Sequence, residues 1–356
     1  MEKLDNFRPL GLAGIMRVKN DAGLIEQCVK SCIDALDELI IVYNDCTDES
    51  ADIINNLRAV YPDKIKVYEY PYKVYGANLS KQEYEYVKSL PTDSPHLLCN
   101  YYNFALSKVS YSHAIKIDAD QLYFNEVLAY WRKLIVNRTC VRGSIIGAIF
   151  HYAFTAYRFA SLKLGRRIPF IPKWLILRIK PYYEQYAIAQ FAKGRAAISL
   201  SGVNVFWDKE WYVLLGKEGK NGFNLIPPFN GEGDHLVFPM SPGLHYEPFE
   251  MSYYSKLVGS SYSIIEQFVH PYKVFYLGFL WFHLNTMRPG VVERVLAIKK
   301  TNPECFVSLG DFLSQSFFSI ERRADSRMFS LFQRLLFSYI FPAYQSVLSK
   351  NIHLLK

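Results

Sequence analysis

The first 125 residues constrain the fold most, because strand-length apolar runs alternate there with segments of helical period. Leu10 to Val18 reads as a buried strand. After Asn20-Asp21, the residues Leu24, Ile25, Cys28, Val29, Cys32, Ile33 and Leu36 recur at helical spacing. Glu38 to Tyr43 is a second strand, ending in Asn44-Asp45-Cys46-Thr47-Asp48, and Ile53, Ile54, Leu57 and Val60 mark a helix that stops before Pro62. Ile65 to Tyr70 predicts a third strand, Leu97 to Val109 a helix, and Ala114 to Ile117 a fourth strand running into Asp118-Ala119-Asp120. Pro71 to Pro95 is too long for a plain connection and reads as a functional loop. The pattern predicts the α/β class, with a doubly wound, mostly parallel sheet flanked by helices. Ligands on such sheets bind beyond the carboxyl ends of the strands. In this chain those ends carry Arg17 to Asn20, Asn44 to Asp48 and Asp118 to Asp120.

The turn after the first strand reads Arg17-Val18-Lys19-Asn20, with Gly11 and Gly14 before or within the strand. The G-x-G-x-x-G turn of dinucleotide folds is therefore missing, and no G-x-x-x-x-G-K-[ST] occurs. What remains is D-x-D. Two carboxylates at i and i+2, where a strand turns, can face one polar ligand. They suit Mn²⁺ or Mg²⁺, which keep places for diphosphate oxygens. A solvated Asp pair has the same spacing, but the position after Ile115-Lys116-Ile117 favours a site. A D-x-D-x-[TV] phosphatase would carry the motif on its first strand, and here Leu122 stands where Thr or Val belongs.

In this combination the chain resembles the GT-A glycosyltransferases, in particular the inverting family 2. The matching segments are Arg17-Val18-Lys19-Asn20-Asp21 with Leu24 and Ser31, Val42 to Asp48, and Tyr101-Tyr102-Asn103 with Lys116 to Asp120. The wording RVKN, YNDCTD, YYN and KIDADQLY is similar to the bacterial beta-1,4-N-acetylgalactosaminyltransferases of lipooligosaccharide synthesis, over roughly Gly11 to Tyr123. The resemblance implies a UDP-sugar donor and a Mn²⁺ or Mg²⁺ cofactor. Arg17, Asn20, Asn44 and Asp45 would hold uracil and ribose, although Asn44 replaces the family's usual Asp. Asn103 would lie near the nucleotide, Asp118 near ribose and metal, and Asp120 on the metal. Thr47 and Asp48 also read as a helix cap.

The resemblance further implies inverting transfer, with a carboxylate from an acidic motif after the later strands taking the acceptor proton. Ala197 to Trp207 reads as such a strand, followed by Asn230-Gly231-Glu232-Gly233-Asp234-His235 as a polar turn. Asp234 is the expected base and Glu232 its rival; Glu247 and Glu250 are weaker choices, and a merely solvated turn fits too. His283 would complete the metal shell and Arg288 would meet the diphosphate, although a lone His among aromatics also suits a core. The alternative to an enzyme is a degenerate sugar-nucleotide-binding scaffold of a glycan assembly complex.

Charge divides the chain. Its net charge is +8, yet Tyr130 to Ala196 holds thirteen basic residues against Glu184, which leaves the remainder slightly acidic. Half the residues are hydrophobic, which excludes a disordered chain. Basic residues interleaved with Tyr152, Phe154, Tyr157, Phe159, Phe170 and Trp174 fit an anionic membrane surface or lipid-linked oligosaccharide acceptor better than a nucleic acid. The run from Phe329 to Leu348 is a candidate for the same surface. The expected organisation is a nucleotide-sugar half (1–130), a basic, aromatic helical insertion (131–196), an acceptor half (197–290) and a helical C-terminal region (291–356). Six dispersed cysteines and the polar stretch Met1 to Pro9 suggest a reduced, cytoplasmic setting on the inner face of the cell membrane. Cys28 and Cys32 share a helix face and read as core thiols.

Overall fold

The computed structural model describes residues 8–77, 79–138, 141–164, 170–215, 228–255, 259–323 and 330–356. The alternating runs form β1 (Leu12–Val18), α1 (Ala22–Cys32), β2 (Glu38–Tyr43), α2 (Ser50–Val60), β3 (Ile65–Glu69), α3 (Lys81–Ser89), α4 (Leu98–Ser107) and β4 (His113–Asp118). Next come β5 (Gln121–Tyr123), α5 (Asn125–Val136), α6 (Ile145–Leu164), α7 (Lys173–Ala192), β6 (Ala196–Asp208) and β7 (Glu210–Leu214). β8 (Phe229–Pro239), β9 (His245–Ser255), β10 (Gly259–Val269) and β11 (Lys273–His283) complete the sheet region. The C-terminal part holds α8 (Val292–Thr301), β12 (Phe306–Ser308), α9 (Leu309–Ser314), α10 (Phe317–Arg323), α11 (Leu331–Leu335) and α12 (Tyr344–Asn351).

The sheet order is β12-β7-β6-β8-β4-β1-β2-β3, with β11 beside β6 and β5. β3, β2, β1 and β4 are parallel, while β8 runs antiparallel to both β4 and β6. The apolar runs are continuous because both faces are covered. On one face Met16, Leu39 and Ile41 pack with Ile25 and Cys28 of α1 and Ile54 of α2. On the other, Ile15, Ile40 and Val42 pack with Tyr101, Tyr102 and Ala105 of α4. Cys28 and Cys32 are buried in the first of these cores.

Three expectations change. The stretch Pro71 to Pro95, expected as a functional loop, carries a helix within it: Lys81–Ser89 form α3, capped by a reciprocal Ser80–Glu83 box. Tyr84 of α3 stacks on Tyr262 of β10, and the Leu79 amide donates to the Tyr262 carbonyl at 2.8 Å. The Asn230–His235 run is not a turn but part of β8, where the register against β6 shifts between Leu200 and Gly202. Gly231 and Gly233 take φ of +83° and +84°, which gives this irregular strand its backbone freedom. From Leu331 onward, the C-terminal apolar run belongs to the core: Phe332 packs on Phe154 and Tyr276, and Phe337 on Phe229. Phe329 itself lies outside the described residues.

α6 and α7 form an antiparallel pair over β11. Gly147 permits the close approach, since a Cβ there would sit 2.0 Å from the Tyr182 carbonyl oxygen. Phe150, His151, Phe154, Tyr183 and Tyr186 form the inner aromatic layer, with His151 stacked 4.2 Å from Phe275. Among the described residues, no helix is long and apolar enough to cross a membrane.

Candidate active site

The carboxyl ends of β1, β2 and β4 meet around a cavity of about 610 Å³ lined by Arg17, Asn44, Lys116, Asp118, Asp120, His283 and Arg288. Arg17, the penultimate residue of β1, lays its guanidinium 3.3 Å from the Tyr102 ring centroid and donates to the Tyr102 hydroxyl. Tyr101 donates its hydroxyl to the Val42 carbonyl at 2.6 Å, tying α4 to the end of β2. Asn44 is buried, and its amide donates to the Tyr72 carbonyl at 3.2 Å.

Other sequence-expected residues do structural work. Asn20 adopts φ +56°, accepts from the Thr47 amide at 2.8 Å and donates to the Thr47 hydroxyl at 3.1 Å, clipping the two turns together. Asp48 accepts from the first amides of both α1 (Ala22) and α2 (Ser50), at 3.1 and 3.0 Å. Asp45 is on the rim, paired with Lys19 at 2.8 Å. Asn103 is not among the residues lining the cavity; both ends of its amide bond the Tyr246 backbone, at 2.8 and 2.7 Å.

At the end of β4 the two aspartates face different partners. β5 pairs with β11 so that His283 lies opposite Gln121, and β6 pairs in parallel so that His283 lies beside Asn204. His283 Nε2 comes 3.4 Å from Asp120, while Nδ1 is 2.7 Å from Asn204 Oδ1 and touches the Asn230 amide. Arg288 follows the 3-10 turn Asn285–Met287 and bridges Asp120 and Asp21, both at 3.0 Å. Burial pushes the Asp120 carboxyl up, but His283 and Arg288 outweigh it and hold the group ionised. Asp21 behaves differently, since burial dominates over Arg288 and carries it to about 6.

Asp118 joins a second cluster. Lys116 Nζ is 3.0 Å from Asp234, 3.6 Å from Glu266 and 3.9 Å from Asp118. His235 lies between the carboxylates, 3.1 Å from Asp118 and 3.3 Å from Asp234. Burial penalises its charge, yet the two carboxylates prevail and raise it to about 9. For both aspartates, burial is outweighed by Lys116 and His235, so they stay well below the usual carboxylate range. Trp281 fixes this wall: it is fully buried, its indole lies 4.5 Å from His235, and it donates to Asn230 Oδ1 at 3.2 Å. A Cβ at Gly202 or Gly231 would come within 2.0 or 2.3 Å of that indole.

Lys116 also lines a neighbouring cavity of about 470 Å³ with Arg158, Glu232, Asp234, Tyr246 and Glu266. Burial raises the Glu232 carboxyl against the opposing pull of Arg158. Glu247 and Glu250 are on β9 outside this cavity, and Glu250 bonds Tyr84 at 2.8 Å. Sequence reasoning missed Lys116, Glu266 and Asn204 as site residues. A signal existed for Lys116, because a cation between Ile115 and Ile117 in an interior strand needs buried partners.

Two donor sets can be weighed for a cation. Asp118, Asp234 and His235 bring ligand atoms within 4.8 Å of one another, but Lys116 already supplies the positive charge there. Asp120 and His283 fit better. Asn204 and Asn230 fix the His283 ring at Nδ1 and leave Nε2 beside Asp120, as outer partners orient a metal-binding histidine.

Residues 2–147 match the family model of beta-1,4-N-acetylgalactosaminyltransferase. No curated protein matched the chain. Among solved structures, S. aureus TarS 1-349 is 17% identical with a TM-score of 0.25, covering 36% of this chain and 32% of its own. TarS 1-349 in complex with UDP-GlcNAc is 16% identical with a TM-score of 0.25, covering 38% and 35%. Mycobacterium tuberculosis glucosyl-3-phosphoglycerate synthase in complex with Mn²⁺, UDP and glucosyl-3-phosphoglycerate is 16% identical with a TM-score of 0.24, covering 44% and 53%. The chain spans about a third to a half of the length of these structures. Across residues 2–147 the chain thus resembles the beta-1,4-N-acetylgalactosaminyltransferases.

Proposed function

We propose that the enzyme moves a sugar, an N-acetylhexosamine or hexose, from a UDP-sugar to a lipid-linked glycan with inversion. The observation that carries this is the end of β4, where Asp118 and Asp120 face a cavity shared with Arg17, His283 and Arg288. Asp120 and His283 would hold Mn²⁺ or Mg²⁺, which as a Lewis acid neutralises charge on the departing diphosphate. Arg17 and Arg288 stand on the same cavity to share that charge. The acceptor enters the adjoining cavity. Its hydroxyl oxygen bonds to the anomeric carbon, the bond from that carbon to the diphosphate oxygen breaks with its electron pair leaving on UDP, and the proton passes to Asp234. Asp234 lines the acceptor cavity and, through Lys116 and His235, stands beside Asp118 of the donor cavity, which supports it over Glu232. The cationic 131–196 segment supports a lipid-linked acceptor at the inner face of the cell membrane.

The test is a panel of UDP-sugars with Mn²⁺, following donor hydrolysis and transfer, and the anomeric configuration by NMR. Asp120→Ala should remove both activities while circular dichroism shows the protein still folded. Undiminished turnover by Asp120→Ala would sink the metal site, and UDP binding without turnover of any donor would leave a binding scaffold.

A further inference from the structure

α6 and α7 are apolar on two faces. Their inner faces are spent on β11, as described above. Their outer faces are also apolar, and exposed. On α6, Ile145, Ile149, Tyr152 and Phe159 recur at spacings of three, four and seven and are 79%, 66%, 58% and 62% exposed. On α7, Trp174 and Leu177 are 66% and 49% exposed. A helix apolar all round is buried or lies against lipid, and an apolar stripe of this extent on a protein surface marks an interaction site.

Charge selects the partner. Arg142, Lys163, Lys173 and Arg178 are exposed beside the stripe, and the acid on these helices, Glu184, pairs with Lys180 at 3.7 Å. Phe159, Lys163, Lys173, Trp174, Leu177 and Arg178 collect at one end of the antiparallel pair, placing aromatic and cationic groups together. Neither helix is apolar enough to span a bilayer. Apolar and aromatic side chains at acyl depth with lysine and arginine at headgroup level describe a helix lying in an anionic interface.

We propose that the outer face of the α6–α7 pair docks on an anionic lipid bilayer. This deepens the lipid-linked-acceptor reading, on which it rests for its purpose, because the acceptor cavity borders α6 through Arg158. The bound surface would hold that cavity close to the headgroups, where the glycan is tethered.

The experiment is cosedimentation of the full chain with phosphatidylcholine vesicles and with vesicles containing phosphatidylglycerol. Binding is expected to the anionic vesicles, weakening as salt rises. Lys173→Ala and Arg178→Ala should each lower affinity about fivefold, and the pair Phe159→Glu with Trp174→Glu should lower it about tenfold or more. Thermal unfolding and UDP-sugar hydrolysis serve as controls and should stay at wild-type values. Equal binding to both vesicle types, or binding indifferent to these substitutions, overturns the proposal. So does a dimer in light scattering that the Phe159→Glu and Trp174→Glu pair dissolves, since a second copy would then cover the face. Vesicle binding is read without turnover, so its failure is separate from a failure to transfer sugar.

Discussion

Replacing Lys116 with methionine tests the charge arrangement at the base of the site. The ammonium is buried among Asp118, Asp234 and Glu266, with His235 as the neighbouring cation. Methionine preserves most of the side-chain volume, so packing changes little and the loss is electrostatic. Removing one partner of a buried ion pair costs about 3–5 kcal/mol, because the remaining charge is left uncompensated. At about 2.1 cal/mol/K per residue, unfolding 356 residues carries an entropy of about 0.75 kcal/mol/K, so Tm should fall by about 4–7 °C at pH 7. The pH dependence has a definite sign. Asp118 and Asp234 are pushed up by burial and pulled down further by Lys116 and His235, so their folded pKa values are depressed. Such groups stabilise the fold above their unfolded value near 3.9 and lose that contribution as pH falls through the folded value. The gap between wild type and Lys116→Met should therefore be full at neutral pH and close below about pH 4. Scanning calorimetry across that range is the assay. A variant melting within about 1 °C of wild type at pH 7, or a gap that persists unchanged in acid, refutes the reasoning.

Asn204→Leu removes a polar partner that orients His283 at Nδ1, so Mn²⁺ affinity by calorimetry should weaken about 10- to 100-fold. Asp234→Asn should lower kcat by about 10²–10⁴ with UDP affinity kept, whereas Glu232→Gln should leave kcat near wild type; the reverse pattern moves the base to Glu232. Asp48→Ala deprives the first amides of α1 and α2 of their shared acceptor and should cost about 1–2 kcal/mol in thermal unfolding.

The first half of the fold was legible because its physics is local. Leu39 to Val42 is apolar without interruption since both faces are covered, and Ile25 to Cys32 keeps helical period over the same core. α3 was hidden because Lys81–Ser89 buries Val87 and little else, so a capping box and a cross-chain tyrosine stack define it. The D-x-D pair was visible as a motif, but its division of labour was not. Which aspartate meets Lys116 and which meets His283 depends on strand registers of β8 and β11, more than a hundred residues away in sequence. Asn103 shows the converse, a residue whose motif pointed to the nucleotide while its amide clasps β9.

The Asp48 bridge has an electrostatic consequence. Folds that hold phosphate at a helix N-terminus rely on unspent amides and the positive end of the helix dipole. Here the first amide of α1 and that of α2 are both taken by Asp48, whose carboxyl stays ionised because, against burial, it accepts from Ser50 and Ala22. Asp21 adds a second carboxyl at the start of α1. Each of these helices thus has its first amide spent on a carboxylate of the chain itself. On the proposed reading, a diphosphate in the cavity would lean on Arg17, Arg288 and a cation held at the end of β4 rather than on the first amides of those helices.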